Sequence, residues 1–109
     1  MTRLALSRSA AALIRALLCR VPDSRDRILL TDIQSSDWHS LTLAGERHVL
    51  ALRVIGDGAR LIASTLTNRL ADHEFAIPGI IVADIAAGRL IDEENRTVSV
   101  QIEALTIEA

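Results

Sequence analysis

Lysine and tyrosine are absent from this 109-residue sequence, and cysteine occurs once, at Cys19. A single thiol forms no intramolecular disulfide and leaves a cysteine-based zinc site without its other ligands. Set among Leu17, Leu18 and Val21, Cys19 reads as a packed apolar side chain. The only aromatic residues are Trp38 and Phe75, and twelve arginines are outnumbered by fourteen acids, for a net charge of −2. Nucleic-acid binders stack bases on several aromatics and track phosphates with a basic excess, so composition argues against that role on both counts. Long apolar runs are missing as well. The first 22 residues carry four arginines and no acid, but Arg8 and Arg15 leave only residues 9–14 uncharged between them. That is far below the ~18 residues of a membrane span, and too short for a secretory core. We read this stretch as an ordinary first helix, with no membrane partner.

What is present suits one domain, residues 1–109, with half of its residues hydrophobic and 24% charged. Leu6, Ala10, Leu13, Ile14, Leu17 and Leu18 recur on one stripe and predict a helix over 4–20, ended by Pro22. A strand is expected over 27–33, with Ile33 facing away from Ile28 and Leu30. Gln34-Ser35-Ser36-Asp37 reads as a turn or bulge, and a second strand follows over 40–55, with Gly45 a bulge or bend within it. Asp57, between Gly56 and Gly58, is a candidate N-cap for a helix running to His73, with Ala59, Ile62, Ala63, Leu66 and Leu70 as its stripe. Residues 80–87 are strand-like, 88–96 are a charged hairpin tip, and 97–107 alternate cleanly through Val98, Val100, Ile102 and Ala104. Leu105 and Ile107 invert that alternation, which predicts a bulge near Ala104 or a covered second face. The order α-β-β-α-β-β defines an α+β domain: an N-terminal helix, then two β-hairpins flanking a central helix, with the helices packed on an antiparallel or mixed sheet.

No catalytic constellation emerges from the residue spacing. Asp37 and His39 flank Trp38 and can share a strand face, but a metal needs a further ligand that nothing nearby supplies. No Gly-x-Ser-x-Gly elbow occurs. Glu93 and Glu94, beside Asp92, lie in a charged run that reads as a solvated loop rather than the partly buried setting a catalytic acid pair needs. Gly56-Asp57-Gly58 lacks the further glycines and the lysine of a phosphate loop. The expectation is a non-enzymatic protein without cofactor or metal.

Charge, by contrast, is unevenly placed. Residues 1–31 hold six arginines against two aspartates, a net +4, while residues 32–109 hold six against twelve acids, a net −6. Either the basic helix is neutralised within the subunit, or the basic part of one copy meets the acidic part of the next, a contact that closes into rings. Arginine suits the second arrangement because its planar fork tolerates partial desolvation. The candidate contact residues are Arg8 and Arg15 on the helix, Arg47 and His48 at the Gly45–His48 bend, and Arg89, Asp92, Glu93 and Glu94 at the charged tip.

One stretch goes beyond general pattern. Ser36-Asp37-Trp38-His39-Ser40, then Gly45-Glu46-Arg47-His48 entering the apolar run Val49–Ile55, resembles the tail terminator (tail-completion) family of long-tailed phages and gene transfer agents. The stretch from Gly58 to His73 stands where that family has a helix, and Ile102–Glu108 where it has its closing strand, so the resemblance spans roughly residues 4–108. The sequence departs from the family in a compressed stretch before Trp38 and in Leu and Ile where aromatics are common. The resemblance implies a homohexameric ring that caps the tail tube, with the tube protein and a head-completion (connector) protein as its other partners. It also implies a place in the tail of a virion or phage-like particle, assembled in the bacterial cytoplasm. A small dimeric α+β module that binds a protein or ligand without catalysis is the alternative reading.

Overall fold

The computed structural model describes residues 6–109, so the expected helix start at Leu4 lies outside the described residues. The first helix, α1, spans Arg8–Leu18. Ser7 caps it, its hydroxyl accepting from the Ala10 amide at 3.1 Å. Ala10, Leu13 and Leu17 form its buried stripe. Each fully buried leucine contributes about 1.5–3 kcal/mol of transfer free energy. Cys19 corrects the expectation of a packed thiol: it lies one turn beyond Arg15 on the solvent side and is exposed. Pro22 then opens an irregular 3-10 segment over Pro22–Arg27 that delivers the chain to the sheet.

The sheet holds β1 (Ile28–His39), β2 (Ala44–Ile55), β3 (Ile80–Ala87), β4 (Ile91–Glu93) and β5 (Thr97–Glu108), and every pairing is antiparallel. The order is β1-β2-β5-β3, with β4 pairing the start of β5. Since β2 and β3 both run antiparallel to the β5 between them, they are parallel to one another. The helix α2 (Ala59–Thr67) makes that crossover and joins the two hairpins into one sheet.

The expected element order omitted one strand. Within the charged run Gly88–Arg96, Ile91–Glu93 pairs with Thr97–Ser99. Gly88 donates to the Gln101 carbonyl at 2.8 Å, so β3 and β4 form one edge interrupted at residues 88–90. The expected turn at Gln34–Asp37 is strand. These polar residues continue β1 opposite Glu46–Val49, on an edge where solvent receives Gln34, Ser36 and Asp37 while the Ser35 hydroxyl reaches the His48 ring. The register shift between Leu30 and Asp32 reverses parity, and so Ile33 joins Ile28 and Leu30 on the core side, opposite buried Leu50. Gly45 is no bend either. It stands in register between Trp38 and Ile107, where a Cβ would collide with the Thr106 carbonyl oxygen.

Along the centre, Leu50↔Ile102, Leu52↔Val100 and Val54↔Val98 pair across β2 and β5, and all six side chains are buried. α1 covers one end of this ladder through Leu13 and Leu17, together with Leu66 and Leu70, while Ala59 and Ala63 of α2 cover Val54 and Val98. β5 carries no bulge against β2. The inversion at Leu105 and Ile107 arises because inward-facing Thr106 is polar, and the shift expected there falls on β3, between Val82 and Asp84.

α2 is shorter than expected and begins differently. Gly58, with φ +75°, precedes it and no side chain caps it; Asp57 instead takes the Arg96 guanidinium. It stops at Thr67 rather than His73, because Asn68 takes extended backbone (φ −60°, ψ 120°) and Arg69 then turns left-handed at φ 51°. Arg20, just past the end of α1, donates from Nε to the Leu66 carbonyl at 2.8 Å and from Nη2 to that of Asn68, satisfying the end of α2.

Candidate functional site

Both helices lie on one side of the sheet, and nothing among the described residues covers the other. That open face presents Val49, Leu105 and Ile107, half-buried among their neighbours, and the exposed Leu29, Ile55, Ile81 and Ile91. A shallow trough of about 750 Å³ crosses it, floored by Ala51, Ala86 and Gln101 and bordered by Arg53, Arg89 and Glu103. A sheet with one face this apolar and uncovered is a surface built for a further layer.

The two ends of the strands differ chemically. At one end the β1–β2 hairpin tip, Ser40–Leu43, projects Leu41 fully into solvent, with Leu43 46% exposed. At the other end, cross-links join separate elements. Arg27 donates to the Ile55 carbonyl at 2.9 Å and to that of Asp57, and the Gly56 amide donates to the Arg96 carbonyl at 3.1 Å. Arg96 pairs with Asp57, and Arg60 with Asp92 at 2.9 Å. Exposed pairs add little stability singly, but together they hold α2, the β4–β5 turn and the end of β2 in one arrangement.

The sequence candidates fall into three separate places. Arg8 and Arg15 are exposed on α1, on the side away from the sheet. Arg47 is exposed on the open face, opposite Ser36 and Leu105. Asp92, Glu93 and Glu94 cluster at the cross-linked end, where Asp92 binds Arg60 and Glu93 accepts from Ser99 at 2.9 Å, whereas Arg89 borders the trough on the open face beside Glu103. His48 is on none of these surfaces, because it is completely buried. The sequence reading missed Leu41 and Leu43, which it placed inside a strand, although Ser40 ahead of them was a turn signal.

His48 organises a polar core beneath α1. Its Nδ1 lies 2.7 Å from the Ser35 hydroxyl, and its Nε2 lies 2.9 Å from that of Thr106 and 3.4 Å from that of Ser9. Ser9 also donates to the Glu46 carboxylate. Burial pushes the imidazole below its ordinary pKa of 6.5, and nearby Glu46 partly opposes that. The carboxylate engages the hydroxyl rather than the far ring nitrogen, so no relay runs from hydroxyl through imidazole to acid. Among the described residues no three His, Cys, Asp or Glu side chains converge to hold a metal, and no helix is long and apolar enough to cross a membrane.

No family model and no curated protein matches the sequence. Among solved structures, one chain of the "Virion of native gene transfer agent (GTA) particle" shares the fold. It superposes with a TM-score of 0.69 at 14% identity, covering 95% of this chain and 100% of that one.

Proposed function

We propose that this protein is a structural, non-catalytic subunit of a phage or gene-transfer-agent particle: the tail terminator, forming a homohexameric ring that caps the tail tube and joins it to the head-completion complex. The observation that carries this reading is the end-to-end fold likeness to a chain of a gene-transfer-agent virion, in which neither chain has a substantial unmatched part. The Asp-Trp and Gly-x-x-His segments that resemble the family stand opposite one another in the β1–β2 hairpin, Trp38 against Gly45 and Ser35 against His48. A ring that meets two different partners also needs two different rims. The apolar Leu41 tip and the arginine-linked end supply them at opposite ends of the strands. Assembly in the bacterial cytoplasm and residence in the particle's tail follow from this role.

The test is to delete the gene in the producing cell and measure the tails by electron microscopy. Uncapped tubes should grow past their normal length and separate from heads, and the chain supplied in trans should restore both. Tails of normal length joined to heads would refute the reading.

A further inference from the structure

The charge asymmetry of the sequence has a spatial counterpart. Arg8, Ala12, Arg15 and Cys19 follow one another at helical spacing on the side of α1 opposite Ala10, Leu13 and Leu17. The two guanidiniums stand two turns apart, about 10.5 Å along the axis, with only small alanines between them. Among the described residues neither closes an ion pair: the pairs there are Arg60–Asp92, Arg69–Asp72 and Arg96–Asp57. None of these reaches the described part of the basic first third of the sequence.

The open face carries the complement. Glu103 on β5 pairs in register with Ala86 on β3, and Asp84 pairs with Leu105. Both carboxylates are exposed and share the open face by register as diagonal neighbours, about 7–8 Å apart, and no cation among the described residues closes on either. Arg47 on β2 stands diagonally from Glu103 without forming an ion pair. Around the acids lie Ala86, Gln101, Leu105 and Ile107, with Arg53 and Arg89 on the border of the same trough, a mixed surface of small and medium side chains.

We infer that the open sheet face binds α1 of a second copy, with Arg8 and Arg15 of one subunit engaging Asp84 and Glu103 of the next. The contact repeats between subunits the helix-on-sheet layering found within one. The two surfaces lie on opposite sides of the domain, so each copy offers both a donor and an acceptor. Such a contact is heterologous and continues head to tail until it closes. This assignment rests on the ring reading and names the faces that build the ring.

Charge reversal in mixed subunits tests it. Arg8→Glu/Arg15→Glu and Asp84→Arg/Glu103→Arg should each melt as the wild type does, since all four side chains are exposed. By native mass spectrometry each should lose the oligomer, with a dissociation midpoint raised more than tenfold. Mixed in equal amounts they should reassemble, because an alternating ring restores an opposite charge at every contact. The proposal is overturned if either variant assembles alone as the wild type does, or if the mixture stays dissociated. A wild-type chain that remains monomeric at high concentration overturns it too. Tail length in the deletion strain reports separately on the terminator reading, so the two failures are distinguishable.

Discussion

Replacing Gly45 with alanine adds one methyl group where the structure has no room for it. The new Cβ would overlap the Thr106 carbonyl oxygen and lie 3.1 Å from the carbonyl carbon and 3.2 Å from Ile107 Cα. Ordinary carbon contacts lie at about 3.5–4.0 Å, and the opposing atoms are backbone, with no rotamer to move. Relief therefore requires β2 and β5 to separate at this register. Overpacking of this kind costs about 1–3 kcal/mol. The same displacement carries Thr106 away from His48, and that buried hydrogen bond adds about 1 kcal/mol. A total of about 3 kcal/mol leaves a domain of this size folded but lowers its melting temperature by roughly 10–15 °C. Gly88→Ala is the control: its Cβ would meet only the Gln101 carbonyl oxygen, at an ordinary 3.5 Å, and its backbone needs no glycine. Thermal melts by circular dichroism should place Gly88→Ala within about 2 °C of the wild type. A Gly45→Ala protein that melts beside its control would refute the close-approach account of this position.

Stability should fall on acidification through His48. The unfolded imidazole takes a proton near pH 6.5 and the buried one resists it, so the contribution is complete above 6.5 and declines as pH drops toward the lowered folded value. Urea melts at pH 7.5 and 5.5 should show a loss of up to about 1.4 kcal/mol per pH unit, and His48→Gln should flatten it; an unchanged slope in that variant would place the titration elsewhere. Arg20→Ala removes two carbonyl partners at the end of α2. It should cost about 1–3 kcal/mol in a urea melt, and a loss below 0.5 kcal/mol, about the scatter of ordinary surface changes, would show that water replaces the cap. Leu52→Asp buries a carboxylate in the central ladder and should abolish cooperative unfolding at neutral pH; a retained transition would contradict the burial of β2.

What the sequence disclosed, and what it hid, divides by the range of the forces involved. The stripe of α1 and the alternation of β5 were legible because each buries one face against a partner, and burial imprints a period on the residues themselves. Residues 34–37 carry no such imprint: an edge strand facing water tolerates Gln, Ser and Asp, and its hydrogen bonds come from β2 whatever the side chains are. The end of α2 was invisible for another reason, since the group that satisfies it is Arg20, which lies 46 residues earlier than Leu66. His48 joins both lessons. Read alone it is a polar residue at the entrance to a strand, a natural surface candidate. It is buried because Ser35, Thr106 and Ser9 bring hydroxyls to it from three other elements, and an inward Thr106 is also what disturbed the pattern of β5. The candidate surfaces follow the same division. Unequal charge along the chain was countable from the residues, but its meaning depends on α1 lying on one side of the sheet and the carboxylates of β3 and β5 on the other. With that placement, four charges without an ion-pair partner among the described residues stand on opposite sides of one domain, the arrangement on which the proposed contact between copies rests and which charge totals alone cannot express.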